Sequence, residues 1–162
     1  MRERRALITL AAIILLAAAC EARAESWSTY VNDRFGATAD YPARFSVLAE
    51  PPANNDGQRF FTADRRASLA VFGFFNTEDE TPEQIMESRK NAGIRYTLAA
   101  AGRGAFTLSG RRGDRIVYER CLRSRHKDIY VCVDLEYPAE ELAAYDPIVT
   151  RVANSLRAGK PW

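Results

Sequence analysis

The chain has 162 residues, with 23 Lys+Arg against 21 Asp+Glu, one His and three Cys. Charge this close to balance excludes a globally basic nucleic-acid binder. Only Lys90, Lys127 and Lys160 among the basic residues are lysines, a bias expected of a bacterial chain encoded by GC-rich DNA.

The first 24 residues read as a secretory signal peptide. Arg2, Arg4 and Arg5 precede an uncharged apolar run over 6–19, and Ala22-Arg23-Ala24 puts small residues at −3 and −1 of a cut before Glu25. A run of 14 residues is short for a membrane span, which needs roughly 20. Cleavage there predicts an extracytoplasmic product, periplasmic or secreted. A second cut is open: Ala17-Ala18-Ala19-Cys20 is similar to a bacterial lipobox, although Ala17 stands where Leu is usual. Lipidation of Cys20 would tether the same domain to a membrane, and no other feature calls for one. The leader holds four basic and two acidic residues, so residues 25–162 carry 19 of each. They are expected to form a single domain with a core of its own.

Two short strands are expected at 29–31 and 35–41, the second stopped by Pro42, which has no N–H for a ladder. Residues 50–58 read as a loop. Strands follow at 59–62 and 68–75, and the second is apolar on both faces, as a central strand would be. Thr81, Pro82 and Gln84 have the spacing of a capping box with proline in the first turn. The helix they open is expected to stop at Gly93 and to turn Ile85, Met86 and Ala92 inward. Residues 95–99 and 105–109 alternate as a hairpin around Gly102-Arg103-Gly104.

The clearest hairpin joins 115–122 to 129–137. In its second strand Ile129, Val131, Val133, Leu135 and Tyr137 share one face, and Tyr130, Cys132, Asp134 and Glu136 the other. A short helical piece over 138–145 comes next. Asp146 is then expected to cap a helix that starts at Pro147 and turns Ile148, Val149, Val152, Ala153 and Leu156 inward. Strands, helix, strands, helix without regular alternation is an α+β pattern with a mainly antiparallel sheet.

Without Cys20, Cys121 and Cys132 are the remaining cysteines. A hairpin tip at His126-Lys127 places them opposite each other, within bridging range. Export supplies the oxidising compartment, so a disulfide is expected, worth roughly 2–3 kcal/mol in the chain-entropy model. There is no Cys-x-x-Cys spacing for redox chemistry, and two thiolates with one His do not close a zinc tetrahedron.

No catalytic, cofactor-binding or metal-binding residue can be assigned. His126 would have to be the base of any serine hydrolase, but it falls at a hairpin tip and no Gly-x-Ser-x-Gly elbow accompanies it. Asn54-Asn55-Asp56-Gly57 lacks the alternating oxygens and distal Glu of a calcium loop and reads as a turn. Glu119 and Asp134 face each other across the hairpin. Exposure, moderated by Arg120 or Arg123, is the expectation for them, ahead of an acid–base dyad. Arg111, Arg112, Arg115, Arg123, Arg125 and Lys127 form a dense basic run. They are either an anion- or partner-binding patch or solvated turn residues on two loops.

Tyr30-Val31-Asn32-Asp33-Arg34-Phe35-Gly36 through Tyr41-Pro42 resembles the opening strand pair of the PsbP-like (DcrB/PsbP) family. The hairpin 115–122/129–137, Pro138-Ala139-Glu140 and a closing helix at Asn154-Ser155-Leu156 are similar to its C-terminal half. The resemblance implies an antiparallel sheet flanked by helices in an α/β/α sandwich. It also implies a non-catalytic domain that binds or assists other macromolecules; an unknown protein or envelope component is the expected partner, and charge and motifs call for no nucleic acid and no cofactor. A lipid-anchored envelope protein and a hydrolase with an unrecognised site are the alternatives.

Overall fold

The computed structural model describes residues 25–125 and 128–159. The leader, Cys20, His126 and Lys127 lie outside them, and with them the cleavage and lipidation expectations.

Among the described residues ten strands form two antiparallel sheets, joined by two α-helices and a short 3-10 helix at Ala139–Glu141. A small sheet has the order β1–β2–β10, from β1 (Trp27–Val31), β2 (Ala37–Pro42) and β10 (Arg157–Ala158). The main sheet has the order β3–β4–β5–β9–β8–β7–β6. Its strands are β3 (Val47–Leu48), β4 (Gly57–Phe61), β5 (Ser68–Phe75), β6 (Arg95–Gly102), β7 (Ala105–Arg112), β8 (Arg115–Arg123) and β9 (Ile129–Pro138). The α+β class and the antiparallel pairing agree with the sequence pattern; the division into two sheets does not follow from it.

One face of the main sheet carries the larger core. Leu69 and Val71 of β5 and Val131, Val133 and Leu135 of β9 meet α2 (Leu142–Ser155) and the small sheet there. The opposite face carries α1 (Pro82–Arg89), whose Ile85 and Met86 rest on Phe106, Tyr130 and the Cys121–Cys132 pair. The apolar stripe of β9 thus faces α2 and its mixed stripe faces α1, as a period of two requires. Gly73 lets the layers close: a Cβ there would stand 2.4 Å from the Phe35 Cβ. Gly110 does the same where β6 bulges between Tyr96 and Leu98, since a Cβ would lie 2.6 Å from the Arg95 carbonyl.

Several boundaries differ from expectation. β2 starts at Ala37 because the buried Asn32 side chain accepts a hydrogen bond from the Phe35 N–H (2.8 Å) and holds 32–36 as a turn. The Thr81/Gln84 capping box is present, but α1 ends at Arg89, and Ala92 is exposed. The Asn91 side chain accepts from the Gly93 N–H (2.8 Å), a local turn that competes with another helical turn. Asp146 and Pro147 lie inside α2 and begin no new helix. Proline removes the bond to the Ala143 carbonyl, and that residue is exposed, so water can take its place.

Candidate functional site

The structure joins Cys121 to Cys132 at a Cα–Cα distance of 4.1 Å. That is the close spacing of a non-hydrogen-bonded antiparallel pair. Such pairs recur every second residue, so Glu119–Asp134 and Val117–Glu136 are of the same kind and lie on the same face. Tyr130 and both cysteines are covered by α1. Beyond the end of that helix the face opens into a pocket of about 400 Å³, floored by Glu119, Asp134 and Glu136.

Arginines from four elements meet these three carboxylates. Arg89 of α1 donates from Nε to Glu119 (2.6 Å), and Arg59 of β4 pairs with Asp134 (3.3 Å) while also donating to the Ser68 hydroxyl (3.1 Å). Glu136 accepts from Arg112 of β7 and from Arg115 Nε of β8 (3.0 Å). The carboxylates are therefore half-buried and paired, not exposed, and their partners are Arg59 and Arg89 in place of Arg120 or Arg123. Arg120 instead donates to Thr107 on the other face (3.0 Å).

Burial raises the Glu119 carboxyl above its ordinary range, against the hydrogen bond and charge of Arg89. Burial raises Asp134 in the same way, with Arg59 opposing. Burial would also raise Glu136, but the hydrogen bonds from Arg112 and Arg115 outweigh it and bring the group below its usual value. Glu119 and both sulfurs come within 4.8 Å of one another, yet the sulfurs are bonded to each other and offer no thiolate to a metal.

The basic run does not form one patch. Arg111, Arg112 and Arg115 gather at the β7–β8 turn, and Arg123 and Arg125 at the far end of β8, roughly 26 Å away at strand rise. Arg112 and Arg115 are committed to Glu136, and Arg123 pairs with Asp79 beside the Tyr130 ring. Lys127 is outside the described residues. In the loop, Asp56 is held by Arg34 (2.7 Å), the Asn55 N–H donates to the Pro52 carbonyl (2.9 Å) to close a turn over 52–55, and Gly57 already begins β4.

Sequence reasoning missed Arg59, Arg89 and Arg95. The first two become visible only when β4 and α1 are placed beside β9. Arg95 lies on β6, the edge of the main sheet, directly opposite Arg111. Along β6 a groove of about 590 Å³ runs between the strands and α2. Ile116 and Tyr118 form its floor, Leu98 and Leu142 its lips, and Arg95 and Arg111 line it as well. Tyr137 also lines it; its hydroxyl is pushed up to about 12 by burial first and then by Asp146 and Tyr118, so it stays neutral.

No protein-family model and no curated protein sequence matches the chain. Among solved structures it is similar to cyanobacterial PsbP (CyanoP) from Synechocystis sp. PCC 6803. The TM-score is 0.60 at 16% identity, over 83% of this chain and 94% of that one. It is also similar to the Saccharomyces cerevisiae Ran-binding protein Mog1p, with a TM-score of 0.52 at 13% identity over 82% and 96% of the two chains. A mutant form of Mog1 gives a TM-score of 0.55 at 12% identity. The chain has the PsbP-like fold.

Proposed function

We propose that this chain is an exported, non-catalytic binding or accessory domain that engages a protein or another envelope component. The observation that carries the reading is the arginine closure of the main-sheet face. Glu119, Asp134 and Glu136 are the carboxylates best placed for acid–base chemistry, and each is held by a guanidinium from another element. A general acid or base needs a proton to exchange with a substrate at hydrogen-bond range. Here the neighbours are permanent cations, which orient the carboxylates and occupy their lone pairs.

Export is supported by the leader pattern and by the Cys121–Cys132 bridge, a form of cysteine that persists in oxidising compartments. Binding is supported by the company of the fold: one structural neighbour is a Ran-binding protein. The test is fractionation of cells expressing the full-length chain, with mass spectrometry of non-reduced digests. A processed product outside the cytoplasm with the Cys121 and Cys132 peptides joined is the expected result. An unprocessed cytosolic chain with two alkylatable thiols would overturn it. The Cys20→Ser variant decides between the soluble and lipid-anchored forms, since only the latter loses incorporated acyl chain.

A further inference from the structure

The strand β6 differs from every other long strand of the main sheet. It is eight residues long, it pairs on one side only among the described residues, and residues 96–102 carry no charge. Residues 97–100 are exposed. Proteins usually blunt such an edge with lysine, proline, a cover or a bulge. Here the bulge sits at one end, between Tyr96 and Leu98, and leaves the regular register from Leu98 to Gly102 open.

The backbone groups that face outward follow from the register. The Cys121–Cys132 spacing makes that pair non-hydrogen-bonded, so the Cys121 N–H and C=O turn toward β7 and bond Phe106. Phe106 is then turned away from β6, and its partner Ala101 must point its own N–H and C=O away from β7. Ala99, opposite Leu108, does the same. The edge therefore presents the donors and acceptors of Ala99 and Ala101, and the methyl groups of Ala99, Ala100 and Ala101 are too small to screen them.

Charge selects the occupant. Arg95 and Arg111 stand directly opposite each other, an arrangement that is destabilising between like charges. Among the described residues neither they nor Arg103, just beyond the strand, form an ion pair; Arg111 donates only to the Gly113 carbonyl (3.0 Å). A second copy fits poorly. Antiparallel self-pairing along the whole strand would set Arg95 of each copy beside the Gly102–Arg103 end of the other. The apolar lips of the groove, Leu98 at 44% and Leu142 at 48% exposure, can take an aliphatic side chain from a strand laid along the edge.

We infer that β6 binds an extended segment of another polypeptide as an added strand, its aliphatic residue seated between Leu98 and Leu142 and an acidic end meeting Arg95 and Arg111. This rests on the reading of the chain as a binding domain and gives that reading its surface.

The probe is a pair of synthetic peptides of about eight alternating valine and threonine residues, one ending in two glutamates and the other in two lysines. Binding is measured by fluorescence anisotropy against the purified full-length gene product in whichever processed form it is exported. The glutamate peptide should bind about tenfold more tightly than the lysine peptide. The double variant Arg95→Glu/Arg111→Glu should reverse that preference. Ala99→Pro removes an outward N–H without touching the β6–β7 ladder, so it should abolish binding while leaving the thermal midpoint near that of the wild type. Arg125→Glu, at the other end of the sheet, should change nothing.

Equal affinity for the two peptides, or indifference to both the charge reversal and Ala99→Pro, would overturn the inference. So would a dimer in sedimentation that Ala99→Pro dissociates, since the edge would then belong to a second copy. A chain that is exported and crosslinks a partner as strongly with these variants as without them keeps the proposed function and loses this surface.

Discussion

Glu119 stands directly opposite Asp134 in a close antiparallel pair, one step along the sheet from the disulfide, and each carboxylate is met by an arginine from outside the hairpin. Two like charges in such a pair repel. Arg89 from α1 and Arg59 from β4 make the arrangement tolerable, and in doing so they tie the helix and the far side of the sheet to the central hairpin.

Removing Arg89 should therefore cost more than a surface ion pair would. Arg89→Ala leaves Glu119, only 16% exposed at its side chain, without its cation, and it also strips the guanidinium from the Phe72 and Phe74 rings. A loss of about 1–3 kcal/mol at neutral pH is expected in urea unfolding. Glu119→Gln added to Arg89→Ala should return part of it. A double variant no more stable than the single one would show that the loss comes from ring packing alone.

The acidic limb of the stability curve should contain two opposite contributions. Glu119 and Asp134 titrate higher in the folded chain than unfolded. Their contribution is thus complete below the ordinary carboxylate range and is lost as pH rises through the raised folded values. Glu136 titrates lower when folded; its contribution is complete above its unfolded value and lost as pH falls through the lowered folded one. Relative to wild type, Glu136→Gln should be least stable near neutrality and converge with it in acid. Glu119→Gln should change with pH in the opposite sense. Denaturant midpoints from pH 3 to pH 7 separate the two, and parallel curves for both variants would contradict the burial argument.

The bridge between Cys121 and Cys132 closes a short loop between two fully buried positions. Replacing both by alanine should lower stability by roughly 2–3 kcal/mol through the freed unfolded chain. Packing adds to that loss, because alanine retains only the Cβ at each fully buried site and both sulfurs leave the core under α1. The check is the thermal midpoint of the double variant against the oxidised and the dithiothreitol-treated wild type. The double variant should fall at or below the dithiothreitol-treated wild type, which lacks the bridge but keeps both sulfurs.

Tyr130 is completely buried and stacks on Phe74 at 5.6 Å, yet its hydroxyl has no hydrogen-bond partner among the described residues. A hydroxyl taken out of water without a new bond is a cost that Tyr130→Phe removes. The variant should equal the wild type or exceed it by up to about 1 kcal/mol in urea unfolding. A clear loss would reveal a partner for the hydroxyl.

Gly73→Ala is the complementary case. Its new methyl would fall within 2.4–2.9 Å of the Phe35 Cβ, Cγ and Cδ2, atoms held near the backbone by the Asn32 turn. About 1–3 kcal/mol of destabilisation is expected from overpacking. Chemical denaturation at unchanged slope would locate the effect in the folded state.

What the sequence determined by itself was local. The alternation in β9 names both of its faces, the spacing Thr81–Gln84 opens α1, and a hairpin centred near 126–127 brings Cys121 to Cys132, because each depends on residues a few positions apart. The tertiary structure alone decided which elements lie side by side. The antiparallel pairing of β5 with β9 bridges some 60 residues, and no local period encodes that choice. The same holds for the two-residue strands β3 and β10, which exist only because a partner strand completes their hydrogen bonds. It holds too for the arginines: in the sequence they form a run near the hairpin, but a charge is settled by what lies across the sheet. Arg59 and Arg89, far from that run, neutralise its carboxylates, while Arg95 and Arg111 meet each other at the edge.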